Sequence, residues 1–324
     1  KYLLLGAFST GFLLYGISML YGATGTTILP QIIEELQKNG GNNELVIVGM
    51  ALVVIAMSFK IAIVPFHMWT PDVYTGAPTP VTGFLSAAAK AAGFAVFVRV
   101  FLTGLPLGNA NWEYVFWILA VLSMTVGNLM ALRQSEIKRM LAFSSIAHAG
   151  YVMVALVVGN DSAITGVIFY SLAYAVMGTG AFGILTIKDA GRVPETYDDL
   201  AGYGVRNPLQ ALMMTLFMFS LIGLPLTGGF IGKLQIFSAA LNNGWVWLSV
   251  IGILNSALSA YYYLRVVMFM YMREGVLPEE TDLSGRSSGF ALTGIIGTAL
   301  AVLYLGVFPN SIIELASSSI QSLL

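Results

Sequence analysis

Residues 59–90 read FKIAIVPFHMWTPDVYTGAPTPVTGFLSAAAK and decide how the chain folds. The stretch sets two lysines, Lys60 and Lys90, in otherwise apolar helical runs, with a proline- and glycine-rich turn between them. A charged lysine at the centre of a membrane-spanning helix costs about 3 kcal/mol on insertion scales. Charge in such surroundings therefore needs a partner, a lost proton or a function.

Composition indicates an integral membrane protein. Hydrophobic residues make up 57% of the 324 residues and charged residues only 10%, and the mean hydropathy is +0.82. A typical soluble domain carries about a quarter charged residues. The apolar runs are about 20 residues or longer, enough to cross a hydrocarbon core as helices, and they lack the alternating pattern of an outer-membrane barrel. We therefore predict an all-α fold, a polytopic transmembrane helical bundle.

Nine apolar segments follow one another along the chain, and a short amphipathic tail ends it. The segments cover residues 2–22, 44–67, 78–103, 113–132, 138–158, 163–187, 208–242, 245–272 and 288–308, and the tail covers 309–324.

Two of these segments carry helix-breaking residues. The seventh segment is too long for one straight span, and its GLPLTGG motif at 223–229 predicts two half-helices around an unwound middle. Pro225, Gly228 and Gly229 form this break. In the second segment, Pro65 follows the first lysine closely and predicts a break of the same kind, with an ordinary proline kink as the alternative.

The distribution of basic residues predicts the orientation, because cytoplasmic loops retain lysine and arginine. With nine spans, one side holds Lys1, Arg133, Lys138, Arg139, Lys188, Arg192, Arg206, Arg273 and Arg286. The opposite side keeps only Lys38 and Arg99, while Arg265 can snorkel to the cytoplasmic surface. This asymmetry places the start of the first segment in the cytoplasm and the C-terminus on the outer side.

Three lysines then remain at membrane depth: Lys60, Lys90 and Lys233. All 16 acidic residues fall in loops or at segment ends, so the sequence offers these lysines no carboxylate inside the membrane. A buried lysine can lose its proton, which suits a proton relay, or can pair with an acidic group from outside this chain. Snorkelling, or lining an inert water pocket, is the alternative for each.

His148 lies at the centre of the fifth segment, beside Ser144 and Ser145. Histidine exchanges protons near neutral pH, so His148 is a candidate member of a relay, with a packing role as the open alternative. Other polar residues could carry water between the charged groups, or could simply bond helix to helix. These are Ser171, Tyr174, Ser220, Asn255 and Ser259.

Several function classes are excluded or disfavoured. Cysteine is absent, which removes disulfides and iron–sulfur ligation, and two histidines are too few for a haem or a metal cluster without carboxylate help. A net charge of −1 with no basic tail gives no indication of nucleic-acid binding. We predict no metal site and no cofactor in this chain. Because the chain begins with Lys1 and runs straight into a membrane segment, we also expect a longer protein that extends N-terminal of it.

Five motifs carry a resemblance to a known family. They are VPFHMWTPDVYTGAPTPV (64–81), SAAAK (86–90), GNLMALRQSEIKRMLAFSSIAHAGY (127–151), GLPLTGGFIGK (223–233) and SAYYYLRV (259–266). Together the motifs resemble the antiporter-like membrane subunits of the proton-pumping NADH:quinone oxidoreductase, respiratory complex I. WTPDVY at 69–74 and the lysine at 90 resemble subunit N (subunit 2) in particular, and the multisubunit Na⁺/H⁺ antiporters share the broader pattern.

The resemblance implies a fourteen-helix subunit with two inverted five-helix repeats, each with a broken helix and a buried lysine. It makes 1–308 one transmembrane domain, with 1–103 as the latter part of the first repeat, 113–272 as the second repeat and 288–308 as the final helix.

The same resemblance implies roles for individual residues. Lys60 is matched with the lysine of the first broken helix, Lys90 with the connecting lysine, and Lys233 with the lysine of the second broken helix. His148 is matched with the histidine near the central polar axis. A glutamate that pairs with the first lysine in this family would lie N-terminal of this chain.

The leading hypothesis is a proton-translocating subunit whose lysines change protonation as quinone is reduced elsewhere. NADH, FMN, iron–sulfur clusters and quinone are then expected in partner subunits, both membrane and peripheral, in a bacterial inner membrane. The alternatives are a subunit of a multisubunit Na⁺/H⁺ antiporter and a purely structural assembly subunit.

Overall fold

A computed structural model describes residues 1–38, 44–104, 112–187, 189, 193–275 and 289–321. Within these ranges the chain is helical and contains no β-strand, and an isolated bridge joins Glu136 to Thr196. The predicted all-α fold is therefore confirmed. Lys188, Arg192 and Arg286, three of the residues behind the predicted orientation, lie outside the described ranges, and the side of the C-terminus stays a prediction.

Fifteen α-helices form the bundle among the described residues. In chain order they are α1 (Tyr2–Thr24), α2 (Leu29–Lys38), α3 (Glu44–Ile61), α4 (Thr70–Gly76), α5 (Thr79–Phe84), α6 (Lys90–Val98), α7 (Trp112–Leu132), α8 (Ile137–Val158), α9 (Asp161–Ile184), α10 (Tyr203–Arg206), α11 (Pro208–Ile222), α12 (Gly228–Asn242), α13 (Val246–Met272), α14 (Gly289–Val307) and α15 (Asn310–Gln321). Two π-helical turns, Leu85–Ala89 and Arg99–Gly104, flank α6, and a 3₁₀ turn covers Asp198–Leu200.

Eight helices in the described part of the chain are long and apolar enough to cross a membrane. A sharply bent pair of helices would be a ninth span if the pair is counted as one. That pair joins Asp198–Arg206 to Pro208–Ile222 at 119°. The seventh predicted segment is two helices, α11 and α12, of 15 residues each. A 15-residue helix is only about 22 Å long, so neither half reaches across a hydrocarbon core of about 30 Å.

The predicted C-terminal boundary of the second segment, 44–67, is wrong. Helix α3 stops at Ile61, Ala62 has a positive φ of 60°, and the chain becomes helical again only at Thr70. Pro65 lies in this link, because proline has no N–H for the helical ladder and disfavours the helical conformation of the residue before it.

Helix α2 is an element that the sequence reading missed. It lies in the loop between the first two spans and buries Ile32 and Leu36 on one face. Its ten residues are too few and too polar to be recognised as a membrane span. The amphipathic tail, in contrast, corresponds to helix α15.

Helix α8 is the centre of the bundle. Every residue from Met140 to Val157 is buried, and the helix packs against α4, α7, α9, α12 and α13. Helix α1 is the opposite case, because only Gly16 and Leu20 are buried along it. A helix that is enclosed on all sides can present polar groups in every direction without contact with lipid.

Candidate functional site

Lys60 is exposed, which corrects the expectation that it is buried. It lies in the last turn of α3, between the buried residues Phe59 and Ile61, and α3 packs mainly on α1 and α6. The Lys60 Cγ lies close to α6, where a Cβ built on Gly93 would be 3.8 Å away, and no hydrogen-bond or ion-pair partner is present among the residues that the structure describes.

The link between α3 and α4 and the adjoining turns of both helices contain buried polar atoms that lack a partner in the described part of the chain. They are Ser58 Oγ, His67 Nδ1, Thr70 Oγ1 and the Tyr74 hydroxyl. Buried polar groups are normally hydrogen-bonded to protein or to ordered water. The break between α3 and α4 is therefore the place in this part of the chain where water or another polar partner would be bound.

Lys90 is buried, with only 4% of its surface exposed. It is the first residue of α6 and directly follows the π-helical turn Leu85–Ala89. Such turns insert an extra residue into a helix and are frequent at functional sites. The Lys90 Nζ donates a hydrogen bond of 2.6 Å to the backbone carbonyl of Ser145 on α8. Its two remaining donors have no acceptor within the described ranges.

A small cavity of about 10 Å³ lies beside Lys90. That is close to the minimum needed to hold one water. Ser145, His148 and Ser171 contribute polar atoms to its wall. The hydroxyl oxygens of Ser145 and Ser171 are buried and have no hydrogen-bond partner among the described residues. The cavity therefore combines a lysine, a histidine and two free hydroxyls around room for a water.

His148, 3% exposed, is held by two tyrosines. Its Nδ1 is hydrogen-bonded to the hydroxyl of Tyr170, and its Nε2 lies 2.9 Å from the hydroxyl of Tyr263. The Tyr263 hydroxyl is also hydrogen-bonded to Ser144. A hydroxyl can donate or accept, so this cluster accommodates either imidazole tautomer.

Lys233 is 5% exposed and lies where the seventh segment breaks. Its Nζ donates to the carbonyls of Leu221 (2.9 Å) and Ile222 (2.8 Å) and to the hydroxyl of Ser256 (2.8 Å). The two carbonyls end α11, where the helix leaves its last carbonyls unpaired and carries partial negative charge. Three acceptors match the three protons of an ammonium group.

The break itself depends on close backbone approach. Gly223 has φ of 90°, and a side-chain Cβ there would meet Lys233 Cδ at 3.0 Å. A Cβ on Gly229 would lie 1.9 Å from the Ser220 carbonyl oxygen, and the Gly229 N–H donates to Ser220 Oγ at 3.1 Å. Pro225 lies in the link, whereas Gly228 and Gly229 already belong to the first turn of α12. The unwound part is therefore shorter than the predicted 223–229.

A tyrosine and asparagine cluster next to Lys233 was missed at the sequence level. The ring centroid of Tyr151 lies 4.8 Å from Lys233 Nζ. Asn128 on α7 donates to the Tyr151 hydroxyl at 3.3 Å and to Asn255 Oδ1 at 3.1 Å, and it accepts from Tyr262 at 2.7 Å. The tyrosine run 261–263 and the buried asparagine in an apolar segment were the available signals.

Asn255 serves mainly to join helices rather than to line a cavity, because its side chain bonds Asn128, Thr125 and the carbonyl of Ile251. Ser259 and Ser220 are likewise bonded within the protein, to Ser256 O and to Gly229 N. Of the five candidate water carriers, Ser171 and Tyr174 are those that line the cavity at Lys90.

Helix α8 brings the site together. Ser145, His148 and Tyr151 follow one another at intervals of three, so they lie on neighbouring positions of one helix face. Ser145 contacts Lys90, His148 lines the same cavity, and Tyr151 contacts Lys233. Neither buried lysine has a carboxylate partner among the described residues, and no group of three or more histidine, aspartate or glutamate side chains there could hold a metal ion.

Asp72, outside the spans, is the contrasting case of a carboxylate with basic partners. It forms an ion pair with Lys1, and its Oδ1 accepts a 2.8 Å hydrogen bond from Arg139 on α8. Hydrogen bonds from Lys1 and then Arg139 hold the pKa of Asp72 below its ordinary value.

Three comparisons bear on the identity of the chain. The family model described as NADH:quinone oxidoreductase/Mrp antiporter, TM, matches residues 1–259. A Trichlorobacter lovleyi protein named NADH-quinone oxidoreductase subunit N is 50% identical over 323 residues, which is 99% of this chain and 66% of that protein.

Solved structures show the same relationship. A chain of respiratory complex I from Thermus thermophilus with bound aureothin superposes with a TM-score of 0.82 at 37% identity, covering 97% of this chain and 67% of that one. A chain of the Mrp complex from Dietzia sp. superposes with a TM-score of 0.86 at 21% identity, covering 99% and 67%. The second match shows the fold alone.

Broken helices and lysines buried in a helical bundle define an antiporter-like class of membrane protein. The chain belongs to the NADH:quinone oxidoreductase/Mrp antiporter transmembrane family. Within this family it groups with proteins named NADH-quinone oxidoreductase subunit N. It spans about two thirds of the length of the relatives that it matches.

Proposed function

We propose that the chain is a proton-translocating part of an NADH-quinone oxidoreductase. The observation that carries the proposal is the single face of α8 that reaches both Lys90 and Lys233, with His148 between them. Both lysines are nine-tenths or more buried and are bonded only to neutral groups within the described ranges. Intramembrane ionisable groups of this kind mark ion pathways by default.

In the proposed mechanism, a proton enters beside Lys60, passes through the cavity at Lys90 and reaches Lys233 by way of the His148 imidazole on α8 and the hydroxyls bonded to it. The hydroxyls of Tyr170 and Tyr263 fit this role, because each can accept a proton on one side and donate on the other. Lys60 is exposed here, so we assign its partner to a carboxylate outside this chain.

Quinone reduction itself is assigned to partner subunits, which would also hold NADH, FMN and iron–sulfur clusters. The chain would act as a translocase subunit with no redox centre of its own, surrounded by lipid and by other complex I subunits in a bacterial inner membrane. The relative named NADH-quinone oxidoreductase subunit N and the similar chain of a complex I structure support this assembly.

The experiment uses the assembled complex in proteoliposomes. Lys90→Ala and Lys233→Ala should each lower the number of protons moved per electron or the turnover coupled to it. Lys38→Ala is the matched control, because Lys38 is exposed on α2 and pairs only with Glu35. An unchanged proton-to-electron ratio and turnover in both variants would refute the relay and leave a structural role.

A Na⁺/H⁺ antiporter subunit is the second candidate, supported by the shared fold of the Mrp chain. It predicts sodium transport that depends on this chain in the absence of quinone reductase activity. Sodium uptake measured in vesicles without NADH and quinone distinguishes the two functions.

A further inference from the structure

The ring of Tyr151 is placed between the two titratable groups that the proposed relay must connect. One contact is the Lys233 ammonium, 4.8 Å from the ring centroid. The other is the His148 imidazole, whose centroid lies 5.4 Å away with its plane at 89° to the tyrosine ring. Tyr151 is 1% exposed, so neither contact is shared with solvent.

A cation above an aromatic ring is attracted by the negative face of its π-system, most strongly where water is excluded. The ammonium of Lys233 has three neutral acceptors and, among the described residues, no carboxylate. The ring face therefore adds a fourth favourable contact for the charged form. Contacts of this kind favour the cation by a factor of about 2 to 30.

Asn128 fixes the position of this ring. Its side chain is fully buried on α7, and it bonds the Tyr151 hydroxyl, the Asn255 side chain and backbone, and the Tyr262 hydroxyl. These bonds join α7, α8 and α13 around one amide. Phe237 closes the remaining side, edge-on to Tyr151 at a centroid distance of 5.8 Å.

We propose that Tyr151 positions the Lys233 ammonium at the broken helix and that Asn128 positions Tyr151. Both are positioning residues for proton transfer, and the inference rests on the proposed function. The π face of Tyr151 acts on Lys233, while the Tyr151 hydroxyl acts only by anchoring the ring to Asn128.

The test compares the pH profile of proton translocation among variants of the assembled complex in proteoliposomes. Tyr151→Leu removes the π face, so the alkaline limit of the profile should move about 0.4 to 1.5 pH units towards acid. Tyr151→Phe retains the face and should restore most of the native profile. Tyr261→Leu is the matched control, because Tyr261 is 65% exposed on the same α13 that carries Tyr262, and it should leave the profile unchanged.

A second measurement does not depend on the assembly of Tyr151→Leu. Tyr151→Phe removes only the bond to Asn128, whereas Asn128→Ala removes that bond together with those to Asn255 and Tyr262. The double variant should therefore shift the profile no further than Asn128→Ala alone. Additive effects would overturn the role of Asn128.

Lys233→Ala, measured in parallel, distinguishes a failure of the role proposed for Tyr151 from a failure of the proposed function. A native profile in Tyr151→Leu beside a defective Lys233→Ala would overturn the role of Tyr151 alone. Equal defects in Tyr151→Leu and Tyr151→Phe would overturn the role of the π face. Normal pumping in Lys233→Ala would overturn the proposed function and this inference with it.

Discussion

Lys90 and Lys233 are buried to the same degree but are solvated by the protein in different ways. Lys233 donates to three acceptors and faces an aromatic ring, whereas Lys90 donates to a single carbonyl and borders a cavity with two free hydroxyls. A fully bonded ammonium is stabilised as a charge, whereas a partly bonded one depends on water. Under the proposed function, we expect Lys233 to hold a proton and Lys90 to exchange it with water.

The difference originates in the backbone. The break between α11 and α12 places two helix-end carbonyls beside Lys233, while Lys90 directly follows a π-helical turn and reaches a single carbonyl of α8. The broken helix therefore provides backbone acceptors for a charge, whereas the π-helical turn changes only the direction of a side chain.

The largest effect is expected from Gly229→Ala, which disrupts the close backbone packing at the Lys233 site. The new Cβ would lie 1.9 Å from the Ser220 carbonyl oxygen, so the two half-helices must separate. We expect a loss of about 3 kcal/mol or more in unfolding free energy, seen as failure to assemble or a large fall in Tm. Gly297→Ala on α14 is the control, because a Cβ there meets nothing within 4 Å. A native Tm for Gly229→Ala would refute the close approach.

The next effect compares the two lysines directly by replacing each with methionine. Lys233→Met leaves the end of α11 without its donors and should lower the unfolding free energy by about 2 kcal/mol. Lys90→Met removes a buried charge that has one bond and should change it by less than about 1 kcal/mol, or increase it. Thermal unfolding of the complex in nanodiscs measures both. Equal losses would remove the distinction between the sites.

A smaller effect is expected at the cavity beside Lys90. Ser171→Val replaces a free hydroxyl with methyl groups and should reduce proton translocation about fivefold, the equivalent of one hydrogen bond of about 1 kcal/mol. Ser162→Val is the control, since Ser162 is exposed at the start of the same helix. If both serine variants pump like the native complex, water at this cavity has no role in transfer.

The smallest effect concerns Asp72, where basic side chains do have a carboxylate partner. Because Lys1 and Arg139 depress its pKa, its contribution to stability is present above the ordinary pKa of 3.8 and is lost as pH falls through the lower folded value. Asp72→Asn should cost about 0.2–1 kcal/mol at pH 7 and nothing near pH 2. Tm measured at both pH values checks this, and a difference that persists in acid would contradict the ion pair.

Much of the fold could be predicted from hydropathy, because span length and composition alone identify most of the membrane helices. The break after α11 was also predictable, since Pro225 has no N–H for the helical ladder. Pro65 likewise predicted a break in the second segment, but the exact end of α3 at Ile61 was not predictable, because residues 62–64 remain apolar after the helix has stopped.

The candidate site was predictable in its charges and less so in their surroundings. Lys90, Lys233 and His148 stand out as polar residues in apolar runs. The exposure of Lys60 depends on which helices pack on α3, and the contacts of Tyr151 and Asn128 arise between residues more than 20 positions apart. Such contacts leave no local pattern in the sequence.

The most direct test of the series arrangement along α8 is the proton-to-electron ratio of the complex carrying Lys90→Ala, Lys233→Ala or both, measured in proteoliposomes. If the two lysines are consecutive stations of one path, each single variant removes the share of pumping carried by this subunit, and the double variant removes no more. Partial losses that add in the double variant, or ratios that stay native in the single variants, would contradict a single path through both lysines.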